Sequence, residues 1–430
     1  EARWAALYEG IKRCNQAIRL LNGSEVKNKE QRLAEMRFLR GHYYFNLKII
    51  YNQIPWIDET LVDPNEYNKK SNIEFSSDQL FSAAYKVLPE SQADYGRPTK
   101  MAARAYMAKV YLYQSKWKEC LEACDEVIQS GKYELFPDFR NVFLPENDNC
   151  SEIIFAIQLS INDGSPNNEN GSYGDRLLPP GGPYPVYGFL RPTQNLVNAY
   201  KTDVKGLPYN DGKDVSENDY VDVRLDHTLA RPNIPFMDVQ LYDWTPREAS
   251  VYGPYSPKKR LVSLNSTYYS PIWPYVNALN FYVIRYADLL LWRAEAAIET
   301  GDLETGRKYI NMIRERAKNT QHVKTMDQSQ DAANYKVGVY DEPFKSKNEA
   351  VQALRMERRL EMAHEGIRFF DLVRWGVADE VINAYIAKEK VFRSHLQNAH
   401  FVKGKHEYFP IPQSMIDICG TEVMKQNPGY

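Results

Sequence analysis

The sequence predicts a mainly α-helical protein, in which a scaffold of paired helices carries a large, irregular, loop-rich insertion with few short strands. Apolar residues recur every three to four positions in both terminal parts of the chain, as on one face of a helix. Two Ala-rich segments, residues 101–131 and 286–317, each have the pattern of two helices joined by a very short turn. Between residues 161 and 280, Gly, Pro, Asn and Tyr are frequent and no helical period is sustained.

The N-terminal helices follow from this periodicity. Apolar residues between Trp4 and Leu21 share one helical face, and the Asn-Gly-Ser sequence at residues 22–24 ends that helix. A second helix is predicted from about Lys29 to Tyr51, because Pro55 blocks its continuation. A third helix is predicted over about residues 77–94.

The two Ala-rich segments look like tetratricopeptide helical hairpins, in which small residues let two helix axes approach closely. The first turn is predicted near Ser115 and the second at Gly301-Asp302. The scaffold is therefore split into residues 1–135 and 284–430, with the irregular insertion at 136–283. A strand is predicted within residues 151–160. A stretch of this length without regular structure in a compact chain is often functional.

Composition excludes several classes of function. The 430-residue chain has a formal charge of −2, so no strong field attracts nucleic acid or anionic lipid. Its five Cys form no CxxC motif and suggest neither a disulfide framework nor a zinc site. The sequence contains no run of about eighteen apolar residues that would predict a membrane span.

The most highly charged stretch is Met356–Trp375, and its apolar residues at spacings of three and four predict one helix with a buried stripe. Glu361 and Glu365 are predicted to pair with Arg358 and Arg368 at helical neighbour distances. The Glu-x-x-His of a di-iron bundle occurs once, without a second copy. The zinc-protease pattern that starts at His364 has Arg where its second His should be. We therefore predict no metal site here.

Motifs of catalysis and cofactor binding are also missing. No phosphate-binding loop, dinucleotide fingerprint or nucleophile elbow is present, so we predict no catalytic residues and no cofactor. The polar stretch Asn162–Gly171 has the composition to hold a structural calcium ion, but it breaks the EF-hand pattern. A solvated loop is the favoured interpretation.

Several motifs, taken in order, resemble the SusD/RagB family of Bacteroidetes surface lipoproteins. They lie at residues 38–57, 101–131, 220–229, 284–296, 356–375 and 409–430. Segment 220–229 departs from the family's Arg-Asp-Pro-Arg pattern, because Val221 replaces the first Arg and Val223 replaces Pro. The resemblance implies a scaffold of about four tetratricopeptide-like units and a non-catalytic protein that captures oligosaccharides at the extracellular face of the outer membrane. A SusC-like TonB-dependent transporter is the implied partner, and an N-terminal lipid anchor, absent from this sequence, is the implied link to the membrane.

A sugar ring has an apolar face that an exposed aromatic side chain can cover, and a rim of hydroxyls for polar groups. The candidate ligand-binding residues are therefore aromatic residues in irregular regions. They are Trp56, Tyr173, Tyr184, Tyr187, Tyr242, Trp244, Tyr268, Tyr269, Trp273 and Tyr275. Trp273 and Tyr275 lead this set, because Pro271 and Pro274 hold their segment extended. The family motifs themselves transfer no single ligand-binding residue.

Three alternatives remain open. A peptide-uptake subunit of the RagB type would use backbone-pairing edges and mixed polar contacts. A glycoside hydrolase would need two carboxylates about 5–10 Å apart, one of them with a raised pKa. A pure protein-interaction scaffold would lack a concave aromatic cluster away from its repeats.

Overall fold

The computed structural model describes residues 1–73, 75–77, 79–173, 184, 187–237, 240–273 and 275–430. Within these residues the protein is mainly helical with short strands, as the sequence predicts. The helices are α1 (Ala2–Asn22), α2 (Lys29–Tyr51), α3 (Pro64–Tyr67), α4 (Ser82–Val87), α5 (Lys100–Tyr113), α6 (Trp117–Gln129), α7 (Gln194–Ala199), α8 (Arg224–Thr228), α9 (Ala249–Tyr252), α10 (Tyr286–Glu299), α11 (Leu303–Lys318), α12 (Lys347–Glu361), α13 (Arg368–Arg374), α14 (Ala378–Glu389) and α15 (Gln413–Cys419). Among them, none combines the length and apolar character needed to cross a bilayer.

The strands are short and pair in twos. They are β1 (Ile153–Ile157), β2 (Lys201–Thr202), β3 (Tyr220–Val221), β4 (Leu229–Ala230), β5 (Pro235–Phe236), β6 (Gln240–Leu241), β7 (Ser256–Pro257), β8 (Tyr269–Ser270), β9 (Val276–Asn277) and β10 (Phe281–Arg285). The strand predicted within residues 151–160 is confirmed as β1, which pairs antiparallel with β10. The remaining ladders, β2–β3, β4–β7, β5–β6 and β8–β9, are antiparallel and two residues long. Irregular backbone thus dominates the described part of the insertion.

The first two helices occur where periodicity places them, but the third is much shorter than predicted. Helix α4 ends at Val87 instead of continuing to about residue 94. The next residue, Leu88, precedes Pro89 and has an extended ψ of 140°. A residue before Pro is disfavoured in the helical region, so the chain leaves the helix there.

The described chain divides into two compact units. The first comprises residues 1–127, 369–384 and 400–430. In it α1 packs on α2, α2 on α4 and α4 on α5. The C-terminal segment is anchored by Asn427, whose Nδ2 donates to the carbonyl oxygens of Tyr51 and Phe409 at 2.7 Å each. The C-terminal motif at residues 409–430 is therefore anchored to the end of α2 within this unit.

The second unit comprises residues 128–368 and 385–399. Helices α10, α11 and α12 pack against one another in it. The turn between α10 and α11 lies at Gly301-Asp302, as predicted. Gly301 has a φ of +94°, and the Asp302 side chain accepts the Thr305 amide to cap α11.

The prediction of one continuous helix over Met356–Trp375 is wrong. Helix α12 ends at Glu361, and α13 begins only at Arg368. His364 and Gly366 have φ values of +62° and +78°, which a helix cannot accommodate. The charged stretch is therefore two helices joined by a turn.

Three acidic side chains of this stretch, Glu357, Glu361 and Glu365, lie inside the second unit in a buried ion cluster, whereas Asp371 lies in the first unit and pairs with Arg374. Its cations are Arg224, Lys259, Arg285, Arg314 and Arg316, and its carboxylates are Glu152, Asp222, Glu357, Glu361 and Glu365. Glu361 accepts hydrogen bonds from Arg316 at 2.5 Å and Arg224 at 3.0 Å. The predicted local pairing missed these partners, because they come from distant segments of the chain. Buried charges of this kind need complete pairing, since an unpaired one is strongly destabilising.

Candidate ligand-binding site

The leading candidates lie at the tip of a hairpin formed by β8 and β9. Tyr269 pairs with Asn277 and Ser270 with Val276, so the turn that connects the two strands contains Pro271, Ile272, Trp273 and Tyr275. The Tyr275 amide donates to the Ile272 carbonyl oxygen at 2.8 Å and closes that turn. Pro274, part of the predicted rigid segment, lies outside the described residues. We call residues 268–277 the aromatic hairpin.

A third segment adds to the base of the aromatic hairpin. Ser172 and Asn277 exchange backbone hydrogen bonds of 2.7 and 3.1 Å. Gly171 makes this approach feasible, because a Cβ there would lie 2.9 Å from Val276 Cγ2. Tyr173 follows directly and is partly buried. The fold thus brings the backbone next to Tyr173 to the base of the hairpin that carries Tyr268, Tyr269, Trp273 and Tyr275.

Trp273 is the most exposed of the candidate aromatic residues in this hairpin. Its side chain is 56% exposed, and Ile272 beside it is also exposed. The ring of Tyr275 meets the Trp273 ring edge to face, with centroids 5.8 Å apart. Tyr275 also packs against a buried aromatic cluster, so it connects the exposed indole to the core of the insertion. The result is a supported aromatic platform.

Polar groups from the Asn-rich loop lie next to the aromatic hairpin. Asn168 Nδ2 donates to Ser270 Oγ at 3.4 Å, and its Oδ1 accepts the Asn162 amide at 2.8 Å. Amides of this kind can bond hydroxyl groups at the rim of a sugar ring while an aromatic residue covers its face. The two elements together have the chemistry that a neutral carbohydrate needs.

Three predicted ligand residues instead lie in the core. Tyr184, Tyr242 and Tyr269 are buried together with Phe236 and Leu261. The Tyr184 hydroxyl donates to the Val262 carbonyl oxygen at 2.7 Å, and the Tyr242 hydroxyl to that of Pro254 at 2.8 Å. Buried rings offer no face to a ligand, so these tyrosines are withdrawn from the candidate platform.

Trp244 and Trp56 are also engaged in packing. Trp244 is partly buried, with its ring centroid 4.3 Å from that of Tyr242. Trp56 belongs to the first unit and is stacked on Tyr44 with centroids 4.4 Å apart. The Arg40 guanidinium also lies 5.2 Å from the Trp56 ring centroid. Both rings therefore make structural contacts within their own units.

Tyr187 lines a cleft of about 500 Å³, together with Phe189 and Tyr252. None of the hairpin residues lines this cleft. Phe189 and Tyr252 are absent from the sequence-based candidates. Phe189 lies in the same Gly- and Pro-rich region as Tyr187, and a search that included Phe would have found it.

A carboxyl group with a raised pKa is present, as the hydrolase alternative requires. Burial raises the pKa of Asp148 to about 6, although hydrogen bonds from Tyr282 and the Asn280 amide oppose the shift. Tyr282 Oη donates to Asp148 Oδ1 at 2.7 Å, and the Asn280 amide lies 3.1 Å from Oδ2. Both carboxylate oxygens therefore hold the start of β10 in place.

The polar loop considered for calcium is closed by its own hydrogen bonds. Asp163 accepts from Ser160 Oγ, the Ser165 amide and Asn170 Nδ2, at 2.5, 2.9 and 2.9 Å. The hydrogen bond from Ser160 is the largest of the contributions that hold the pKa of Asp163 well below its usual range. Across the part of the chain that the structure describes, no three His, Cys, Asp or Glu side chains are grouped as a metal would need.

Comparison with known proteins assigns the family. Residues 151–430 match the model of the SusD family, and residues 1–112 match a related model described as starch-binding and associating with the outer membrane. The chain therefore belongs to the SusD family, as its motifs indicated. A SusD-like protein, P25, from Formosa agariphila is 24% identical over 453 residues, which cover 96% of this chain and 76% of that protein.

Solved structures share the fold. A SusD-like protein from Bacteroides fragilis has a TM-score of 0.74 at 21% identity, covering 100% of this chain and 86% of the other. A laminarin-binding SusD-like protein has a TM-score of 0.70 at 24% identity, with the same coverages. These similarities confirm the mainly helical architecture with few short strands.

Proposed function

We propose that this protein captures oligosaccharides at the extracellular face of the outer membrane, where a lipid anchor would hold it. It then passes them to a SusC-like TonB-dependent transporter and does no chemistry itself. The observation that carries the proposal is the exposed Trp273, supported by Tyr275 and adjoined by the Asn-rich loop. This hairpin falls within residues 136–283, the proposed ligand-binding insertion.

The family relationships support a carbohydrate ligand. The model matched by residues 1–112 is described as starch-binding, and one structural neighbour binds laminarin. The near-zero net charge is also compatible with a neutral ligand. Binding by the isolated protein is expected to be weak, because a few rings on an open surface bury little area while association has a large entropic cost.

The proposal is tested by calorimetric titration with malto-, laminari-, xylo- and manno-oligosaccharides, host N-glycans and a set of short peptides. We expect saturable heat with at least one glycan and none with peptides. Heat with peptides alone would assign the protein to peptide uptake. Chromatography of the titrated glycan should recover it uncleaved, and recovery of shorter products would contradict a non-catalytic role.

Transfer to a transporter has its own test. Affinity-tagged protein, isolated from detergent-solubilised outer membranes of its native cells, should retain a TonB-dependent β-barrel protein. Intact cells treated with an external protease should lose the tagged protein, because it is predicted to face outward. Protection from the protease would contradict the proposed location.

A further inference from the structure

The second unit contains a cleft that is lined by none of the described residues of the aromatic hairpin. It consists of two adjoining cavities of about 500 and 830 Å³. Both are lined by Glu389 and Arg393, so the cavities meet at these two side chains. One long wall comes from residues 187–214 and the other from residues 385–395. Cavities of this size are typical of ligand-binding sites.

Exposed aromatic rings line the smaller cavity. Phe189, Tyr187 and Tyr252 have exposures of 57%, 45% and 42%. The Tyr187 and Phe189 ring centroids are 6.5 Å apart, and the Tyr252 and His395 centroids are 5.1 Å apart. Their rings are inclined by 57° and 49° within these pairs, so the cavity presents aromatic surfaces in several orientations.

A chain of hydrogen bonds fixes polar side chains at the junction with the larger cavity. Tyr255 Oη donates to Gln194 Oε1 at 2.5 Å, and Gln194 Nε2 donates to Asn198 Oδ1 at 2.8 Å. Asn198 Nδ2 then donates to Asp214 Oδ1 at 2.8 Å. Gln194, Asn198 and Asp214 line the larger cavity. Their orientation is set before any ligand arrives, which lowers the entropic cost of binding.

The backbone that carries Tyr252 is held by two arginines. Arg191 donates to the carbonyl oxygens of residues 247, 253 and 255. Arg393 packs so closely on Gly253 that a Cβ there would lie 2.8 Å from its Nη2. Gly253 also has a φ of +92°, which L side chains rarely adopt. The aromatic wall is therefore preformed.

Charged side chains of both signs line the cleft: the cations Arg191, Arg359, Lys388 and Arg393, and the carboxylates Asp214, Glu248 and Glu389. Arg393 Nε lies 3.7 Å from Glu389 Oε2. Arg359 Nη2 donates to Asn195 Oδ1 at 2.6 Å and to the Asn195 carbonyl oxygen at 2.9 Å. The carboxylate of Asp214 is surrounded by neutral amide side chains, among them Asn198 and Asn210. A cleft with no single-sign field favours a neutral ligand over a strongly charged one.

We propose that this cleft is a second oligosaccharide-binding site, in which the rings of Phe189 and Tyr252 cover sugar faces and the Gln194–Asn198–Asp214 chain bonds hydroxyls. Its two cavities, of about 830 and 500 Å³, offer room for more than one sugar. The inference rests on the proposed function for its ligand class, but it uses residues that the hairpin does not. Two sites on one chain raise the affinity for a glycan long enough to reach both.

The test is photoaffinity labelling with diazirine-tagged glycans from the calorimetric panel, followed by mass-spectrometric mapping of the labelled peptides. We expect label both in residues 268–277 and in residues 187–191 or 385–395. Label in the hairpin alone would overturn the second site and leave the proposed function intact. Label in the cleft alone would support binding at the cleft and would show that the hairpin does not bind glycan. No label from any glycan would contradict both.

Variants give an independent readout. The double variant Phe189→Ala/Tyr252→Ala should lose cleft labelling while it keeps hairpin labelling, and Trp273→Ala should do the reverse. Affinity for a hexasaccharide should fall at least about 4-fold in the double variant, because two aromatic contacts are lost and each usually contributes about 2- to 10-fold. Tyr95→Ala, which removes an exposed ring from the first unit, is the matched control and should change nothing. Unchanged cleft labelling in the double variant would overturn the assignment to these rings.

Discussion

Trp273 and Tyr275 meet edge to face at the tip of the aromatic hairpin, with ring centroids 5.8 Å apart and planes inclined by 89°. Tyr275 has a φ of +57°, a conformation that a bulky residue rarely adopts. It also packs against the buried cluster that contains Phe236. The strained residue thus holds an exposed indole against the core. Such support reduces the entropy that the indole loses when it stacks on a ligand.

We first predict that Tyr275→Ala weakens glycan binding although Trp273 is unchanged. Without its edge contact the Trp273 ring must be ordered when the ligand binds. The energy of an aromatic pair, about 0.5–1.5 kcal/mol, limits this cost, so Kd should rise by up to about 10-fold by calorimetry. Tyr275→Phe keeps the ring and should bind like the wild type. Weaker binding by Tyr275→Phe would show instead that the hydroxyl contacts the ligand.

Second, Tyr184→Phe should lower stability without changing glycan affinity. The substitution leaves the buried Val262 carbonyl oxygen without its 2.7 Å donor, which costs about 1–3 kcal/mol. Urea unfolding measures this loss. Tyr268→Phe, at an exposed position, should leave stability unchanged. A loss of glycan affinity in Tyr184→Phe, with stability unchanged, would return Tyr184 to the ligand site.

Third, Glu361→Gln should be strongly destabilising. It removes the charge that neutralises Arg316, Arg285 and Arg224 in the buried ion cluster, at a cost of about 3–5 kcal/mol. The urea midpoint should fall accordingly. Glu304→Gln, at an exposed ion pair with Arg307, should leave the urea midpoint nearly unchanged, because solvent screens such a pair. Equal effects of the two substitutions would contradict the structural role of the cluster.

Fourth, the buried ion cluster predicts a loss of stability in acid. Burial alone would raise the pKa of Glu361, but Arg316, Arg285 and Arg224 outweigh it and hold that pKa well below the usual 4.5. A carboxylate with a depressed folded-state pKa contributes stability above its unfolded pKa and loses it as pH falls. The urea midpoint should therefore decline as pH falls below about 4.5. In Glu361→Gln this decline should be shallower, and an identical decline would exclude Glu361 as a contributor.

The spacing of apolar residues predicted a helix correctly where its bounds depend only on residues that are close in the sequence. Helix α2 begins at Lys29 and ends at Tyr51, as the periodicity and Pro55 indicated. The overlong third helix came from following periodicity past Pro89. In the charged stretch, spacing suggested that Glu361 pairs with a neighbour on its own helix, whereas its partner Arg224 is 137 residues away in the sequence. Sequence spacing carries no information about such tertiary partners.

The candidate ligand-binding residues also depend on tertiary contacts that the sequence does not show. Selecting aromatic residues in irregular regions found both the exposed Trp273 and the buried Tyr184 and Tyr242. Each of these residues has Pro and further aromatic residues nearby in the sequence, so composition does not separate them. Their burial depends on contacts such as that between Tyr184 and Val262, 78 residues apart. Only the folded structure distinguishes a platform from the core beneath it.

The most direct test of glycan capture at the aromatic hairpin is the calorimetric Kd of Trp273→Ala for the tightest-binding oligosaccharide of the panel. Trp273 is exposed, so its removal should cost little stability beyond the loss of its edge contact with Tyr275, and the thermal midpoint should show that the variant is folded. We predict at least about a 3-fold rise in Kd, and more if the indole stacks fully on a sugar ring. A Kd equal to that of the wild type would contradict the assignment of glycan capture to this hairpin.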